Sequence, residues 1–188
     1  MNLNDFNSLV DLFFHQTEKQ NPASIFLEWL NPKNKKKLTW GETSSNIYKL
    51  AKILKENIVD GDRCLLVSEN RPEWLISDIA IMLANGITVP VYTTYTEKDY
   101  KYLIEDCQPS VIIVSNDEMH NKLKNIIKEK DFIKKVITFE KVQEADYNNK
   151  YLDFNFIIKN NLQTNDKFKN LDLKRNSPAC IIYTSGTG

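Results

Sequence analysis

The chain has 188 residues, with 25 Lys+Arg against 25 Asp+Glu and 41% hydrophobic residues. That length buries a sizeable core and suits one domain with room for part of a second. Zero net charge gives no support to a nucleic-acid binder, which carries a basic excess. The opening Met1-Asn2-Leu3-Asn4-Asp5-Phe6 lacks the basic and apolar regions of a secretory signal.

Ser8 to Lys19 reads as a helix with Leu9, Leu12, Phe13 and Phe14 inward. Ala23 to Leu30 and Lys37 to Trp40 read as two short strands about the turn-rich Asn31-Pro32-Lys33-Asn34. The run Lys35-Lys36-Lys37 then falls on a solvated hairpin tip. Thr39-Trp40-Gly41-Glu42 fits the S/T-x-x-E capping box. The helix it opens carries Ile47, Leu50, Ala51, Leu54 and Ile58 at helical spacing. Arg63 to Val67 is a near-continuous apolar strand, and Pro72 suits the first position of a helix running to Asn85-Gly86. Ile87 to Tyr92 is the next strand, and Thr96 caps a further helix with Tyr100, Leu103 and Ile104 on one face. Ser110 to Val114 is strand, Glu118 to Lys128 helix, and Lys135 to Phe139 strand. Glu140 to Asn149 reads as loop, Tyr151 to Asn161 as a short helix, and Gln163 to Pro178 as a polar linker.

A hairpin followed by alternating helices and apolar strands implies an α/β fold, a mostly parallel sheet covered by helices on both faces. The most apolar helical stretch, Ile76 to Ala84, contains Asp78 and is too short to span a bilayer. Cys64, Cys107 and Cys180 are odd in number and widely spaced, which suits a reducing cytoplasm and no disulfide framework. His15 and His120 stand alone and read as surface or helix-face residues, with no metal site.

The end of the chain carries the strongest chemical signal. Ala179-Cys180-Ile181-Ile182-Tyr183 reads as a buried strand, and it runs directly into Thr184-Ser185-Gly186-Thr187-Gly188. Small residues let backbone N–H groups approach an anion, and glycine permits the positive φ that turns successive N–H groups inward. Thr184, Ser185 and Thr187 add hydroxyl donors. In a parallel α/β sheet, ligands bind beyond the carboxyl ends of strands, where this loop falls. A phosphate loop needs a following element, so the chain reads as the front part of a larger protein. The G-x-x-x-x-G-K-[ST] and G-x-G-x-x-G patterns are absent, which argues against a P-loop hydrolase and a dinucleotide-binding protein.

Three blocks in order resemble the AMP-forming adenylating enzymes, which include acyl-CoA synthetases, luciferases and peptide-synthetase adenylation domains. They are Leu38-Thr39-Trp40-Gly41-Glu42, the stretch Met82 to Pro90, and Tyr183 to Gly188. Two further stretches, Ser68 to Trp74 and Val91 to Thr96, resemble the long-chain fatty acyl-CoA synthetases and serve mostly to shape the fold. One departure is that Gly188 stands where the commoner loop has a second Thr.

The resemblance implies an incomplete N-terminal α/β subdomain of the AMP-binding domain over residues 1–178. It implies a strand and the start of the ATP phosphate loop over 179–188. Thr184, Ser185, Gly186, Thr187 and Gly188 are then the ATP-binding residues, and no catalytic residue is assigned. The implied activity is a fatty acid–CoA ligase using ATP, Mg²⁺ and coenzyme A through an acyl-adenylate. This segment alone is expected to be inactive. The implied location is cytoplasmic, with peripheral contact at a membrane because a long-chain acid comes from lipid. The competing readings are an adenylating enzyme for another carboxylic acid and a non-catalytic truncated binding module.

Overall fold

The computed structural model describes residues 5–31, 35–147, 149–160 and 173–184. Helix α1 (Leu9–Lys19) opens on Ser8, whose hydroxyl accepts from the Asp11 N–H. Phe13 and Phe14 pack against the core as predicted, but Leu9 is 61% exposed and Val10, at 1%, is buried in its place. Strands β1 (Ile25–Trp29) and β2 (Lys36–Thr39) form an antiparallel hairpin. Its aromatic side chains tie it down: Phe26 stacks on Trp40 at 3.8 Å, and Phe13 packs against both.

Helix α2 (Trp40–Lys55) starts on the full capping box of Thr39 and Glu42. Its stripe of Ile47, Leu50, Ala51 and Leu54 is buried, and so is Ile58 just past its end. Strand β3 (Arg63–Val67) leads to α3 (Pro72–Leu83), with Pro72 in the first turn. Asn85 then turns the chain at φ 63, the left-handed region. Strand β4 (Ile87–Val91) precedes α4 (Glu97–Cys107), opened by a second capping box from Thr96 and Asp99. Strand β5 (Val111–Val114), helix α5 (Asp117–Glu129) and strand β6 (Lys135–Thr138) follow.

The predicted helix from Tyr151 divides into strand β7 (Tyr151–Asp153) and the short helix α6 (Phe154–Lys159). Tyr151 pairs with Val136, so the open edge of β6 draws the first residues into the sheet. Asp153 then caps α6 by accepting from the N–H groups of Asn155 and Phe156.

The sheet runs β4-β3-β5-β6-β7 and is parallel throughout. Alternate strand residues feed two cores. Cys64, Leu66, Val111 and Ile113 pack with α2, α3 and α6. Leu65, Val67, Ile112 and Val114 pack with α4 and α5. Each fully buried Leu, Ile or Val contributes about 1.5–3 kcal/mol, so covering the sheet on both faces supplies the main stabilisation.

Two charged features differ from the solvated reading. Lys36 lies in β2 rather than at a free tip, and its Nζ reaches Glu73 at 2.6 Å. His120, read as a surface or helix-face residue, is 1% exposed.

Candidate functional site

The segment predicted as a buried final strand is held by a single parallel bridge, Thr88 to Cys180, on the outer edge of β4. The Thr88 N–H donates to the Ala179 carbonyl at 3.1 Å, and the Ile181 N–H donates to the Thr88 carbonyl at 2.9 Å. Cys180 is exposed and Ile182 is 64% exposed, so this is an open edge and not an interior strand. Among the described residues, β4 is its one strand neighbour. Ile181 and Tyr183 pack toward the α4–α5 core.

The parallel direction matters more than the length of the pairing. With Cys180 opposite Thr88, the chain at the bridge heads in the direction of the carboxyl end of β4. The Tyr183 hydroxyl donates to the Asp106 carboxylate near the end of α4. Burial and that carboxylate together hold the phenol protonated above its ordinary range. Thr184, the first loop hydroxyl, is exposed. Ser185, Gly186, Thr187 and Gly188 lie outside the described residues.

A second loop closes the same end of β4. Tyr100 donates its hydroxyl to the Tyr92 carbonyl at 2.8 Å, and Lys122 reaches the Thr93 carbonyl at 2.8 Å. This fixes the stretch from Val91 to Thr96 as a strand end and helix cap. At the carboxyl end of β3, Arg71 Nε lies 2.9 Å from Glu73 Oε2, and Arg71 Nη1 lies 2.9 Å from Glu140 Oε1. The Arg71 guanidinium also sits 4.7 Å from the Trp29 ring centre. Burial opposes the charge on Glu73, but hydrogen bonds from Arg71 and Lys36 outweigh it and hold the carboxyl below its ordinary range. Both stretches therefore have structural roles.

Sequence reasoning missed two groups. Asp106 carried no signal because its partner is 77 residues away. His120 pairs with Tyr151, Nε2 to hydroxyl, at 2.9 Å; a lone histidine on a helix face does not announce a buried tyrosine. Neither touches Thr184. A cleft of about 370 Å³ at the amino end of β4, lined partly by Leu9, Asn85 and Ile87, lies at the opposite end of that strand.

The family description AMP-binding enzyme matches residues 13–188. The chain belongs to the AMP-binding enzyme family. Among curated proteins, it is 30% identical over 121 residues to the long-chain-fatty-acid–CoA ligase ACSBG2 of Rattus norvegicus, covering 63% of this chain and 18% of that protein. It is 27% identical over 196 residues to the mitochondrial acyl-coenzyme A synthetase ACSM3 of Homo sapiens, covering 97% of this chain and 31% of that protein. The fold matches the crystal structure of the anthranilate CoA ligase AuaEII in complex with anthranoyl-AMP. That match has a TM-score of 0.69 and 22% identity, and it covers 84% of this chain and 29% of the other.

This member of the AMP-binding enzyme family thus spans between about a fifth and a third of the length of these curated relatives. Its parallel sheet, flanking helices and antiparallel hairpin are those of an adenylate-forming ligase. Among the described residues, no helix is long and apolar enough to cross a membrane.

Proposed function

We propose that this chain supplies the first part of an ATP-dependent, AMP-forming long-chain fatty acid–CoA ligase. Residues 1–178 form the α/β subdomain, and 179–188 begin the loop that grips the phosphates of ATP. The observation that supports the reading is the parallel bridge of Cys180 to Thr88, which sets the segment before the hydroxyl- and glycine-rich run in the direction of the carboxyl end of β4.

The reaction joins a carboxylate to the α-phosphate of ATP with loss of pyrophosphate. The thiol of coenzyme A then displaces AMP to give the acyl-CoA. The difficulty in the first step is bringing one anion onto another, and preorganised donors offset it. Thr184, Ser185 and Thr187 would donate hydroxyls, and Gly186 and Gly188 would let backbone N–H groups converge on the departing phosphates. Magnesium would travel with the nucleotide. Among the described residues no group of three or more His, Cys, Asp or Glu could hold it. The thiol-transfer step belongs to sequence beyond the residues described.

The long-chain assignment rests on the stretches Ser68 to Trp74 and Val91 to Thr96 and on likeness to the ACSBG ligases. A ligase for another acid is the second reading, since the match across 97% of the chain is to an acyl-coenzyme A synthetase named for no particular acid. A cytoplasmic enzyme meeting its acid at a membrane surface goes with the first reading.

The test is ATP–pyrophosphate exchange by the full-length gene product with acetate, octanoate, palmitate, benzoate and anthranilate. Exchange fastest with palmitate supports the long-chain assignment, and another preference replaces it. Thr184→Ala combined with Ser185→Ala should abolish most exchange while the melting temperature holds. Undiminished exchange in that variant removes the loop assignment. No exchange with any acid in the unaltered protein favours the non-catalytic binding module.

A further inference from the structure

We propose that His120 is a pH-sensitive clasp, which holds the segment 140–147 against α5 while its imidazole is neutral and releases that segment on protonation.

The segment is thinly held. It belongs to the connection from β6 to β7, two parallel strands, and it carries no helix or strand of its own. Parallel strands are ordinarily joined through a helix, which would bring a packed apolar face. Here Val142 is the one buried residue from 140 to 147. Side-chain contacts hold the rest. The Gln143 N–H donates to Asp117 Oδ1 at 3.1 Å, and Lys124 Nζ meets Glu144 Oε1 at 2.9 Å. The Tyr147 hydroxyl accepts from the Val142 N–H at 3.0 Å and pairs with the Thr138 hydroxyl at 2.9 Å. Segments with so few buried apolar contacts open at low cost.

His120 stands in the opening turn of α5 and is 1% exposed. From outside that helix, Tyr151 of β7 meets it, with Nε2 2.9 Å from the hydroxyl and the rings edge to face at 5.4 Å. Nδ1 is buried and has no partner. A neutral imidazole fits this place, with the Nε2–H donating to Tyr151 and Nδ1 a bare acceptor. Protonation puts a hydrogen on Nδ1 with nothing to receive it. It also sets a positive charge at a helix N-terminus, which is itself positive.

The surrounding charges do not compensate. Asp117 on α5 and Glu144 on the segment favour the imidazolium, while Lys124 and Lys128 on α5 oppose it. Asp117 already takes the Gln143 N–H, and Glu144 already takes Lys124. A charged ring is therefore satisfied by water, which enters when the segment lifts away. The segment begins at Glu140, whose carboxylate meets Arg71 at 2.9 Å. Its release slackens the ion pairs at the carboxyl end of β3.

The experiment is amide hydrogen exchange, read by mass spectrometry on the full-length gene product at pH values on both sides of 6.5, each rate divided by the chemical rate at that pH. The opened state takes its proton at the ordinary imidazole value of 6.5 and the closed state takes it lower. The open fraction should then rise up to about tenfold per pH unit below 6.5, until the closed state also titrates. Corrected exchange in 140–147 should follow that rise. Exchange in α2, which packs on the other face of the sheet, should not. His120→Gln keeps a hydrogen-bonding group but does not titrate, and should flatten the dependence. Tyr151→Phe removes the hydroxyl and should raise exchange in the segment above pH 6.5 as well.

Corrected exchange in 140–147 that ignores pH in the unaltered protein overturns the proposal. So does a pH dependence that persists in His120→Gln, or an equal rise in α2, which reports unfolding of the whole domain. Should His120→Gln fail to fold, Tyr151→Phe decides: segment exchange unchanged at every pH overturns the clasp.

Discussion

Arg71 and Glu73 form the most deeply buried ion pair among the described residues: Nε and Oε2 are 2.9 Å apart, and the side chains are 6% and 4% exposed. Each has further partners. Glu73 also takes Lys36 at 2.6 Å, and Arg71 also takes Glu140 at 2.9 Å and lies over the Trp29 ring. The pair thereby fastens the N-terminal hairpin, through Trp29 and Lys36, to the carboxyl ends of β3 and β6.

Removing one partner of this pair leaves a buried charge without compensation. Glu73→Ala should cost about 3–5 kcal/mol of unfolding free energy. Lys36→Met should cost no more than about 1 kcal/mol, because the Lys36 side chain is 32% exposed and solvent screens it. Urea unfolding of the two variants checks the ratio, and equal losses would contradict the buried-pair account.

Stability should fall in acid in two stages. Burial holds the His120 imidazole below its ordinary value of 6.5, with Asp117 and Glu144 pulling the other way and Lys124 and Lys128 adding to the depression. A depressed imidazole means the unfolded chain binds the extra proton first. Its contribution is therefore complete above pH 6.5 and is lost as the pH falls below that. Glu73, depressed from 4.5, keeps its contribution above that value and loses it at lower pH. His120→Asn should flatten the upper stage and leave the lower one, as read from urea midpoints across the pH range.

The three cysteines should differ sharply toward an alkylating reagent, which attacks the thiolate. Cys180 is exposed on the β4 edge. Cys64 is fully buried and its thiol is pushed far up by that burial. Cys107 is pushed up to about 11, chiefly by burial. Mass spectrometry after brief iodoacetamide treatment should find one label, at Cys180, and labelling of all three cysteines once urea is added.

Thr39 joins β2 to α2 and caps the helix that brings Ile47, Leu50, Ala51 and Leu54 into one core. Its hydroxyl accepts from the Glu42 N–H at 3.1 Å while Glu42 accepts from the Thr39 N–H at 2.8 Å. Thr39→Ala should cost about 1 kcal/mol, within the usual range for a lost N-cap. Thr39→Ser keeps the hydroxyl and should recover most of it, as thermal melts will show.

What was legible in the sequence is what neighbours along the chain decide. The capping boxes of Thr39 and Thr96, Pro72 at a helix start, and the stripe from Ile47 to Leu54 all lie within one or two turns of their partners. The apolar strands Arg63 to Val67 and Ser110 to Val114 announced a sheet covered on both faces. Three blocks in order announced the family.

The tertiary structure decided whatever depends on partners far apart in the chain. Tyr151 to Asp153 became strand because the edge of β6 was open to receive it. His120 became buried because Tyr151 met it across 31 residues. Lys36 turned from the solvated tip onto Glu73, 37 residues away. Among the described residues, the segment before Thr184 is held by a single bridge to β4 and by the Tyr183 hydroxyl on Asp106, 77 residues away. Local preferences are written in spacing, but burial and pairing between distant residues exist only once the sheet has brought them together.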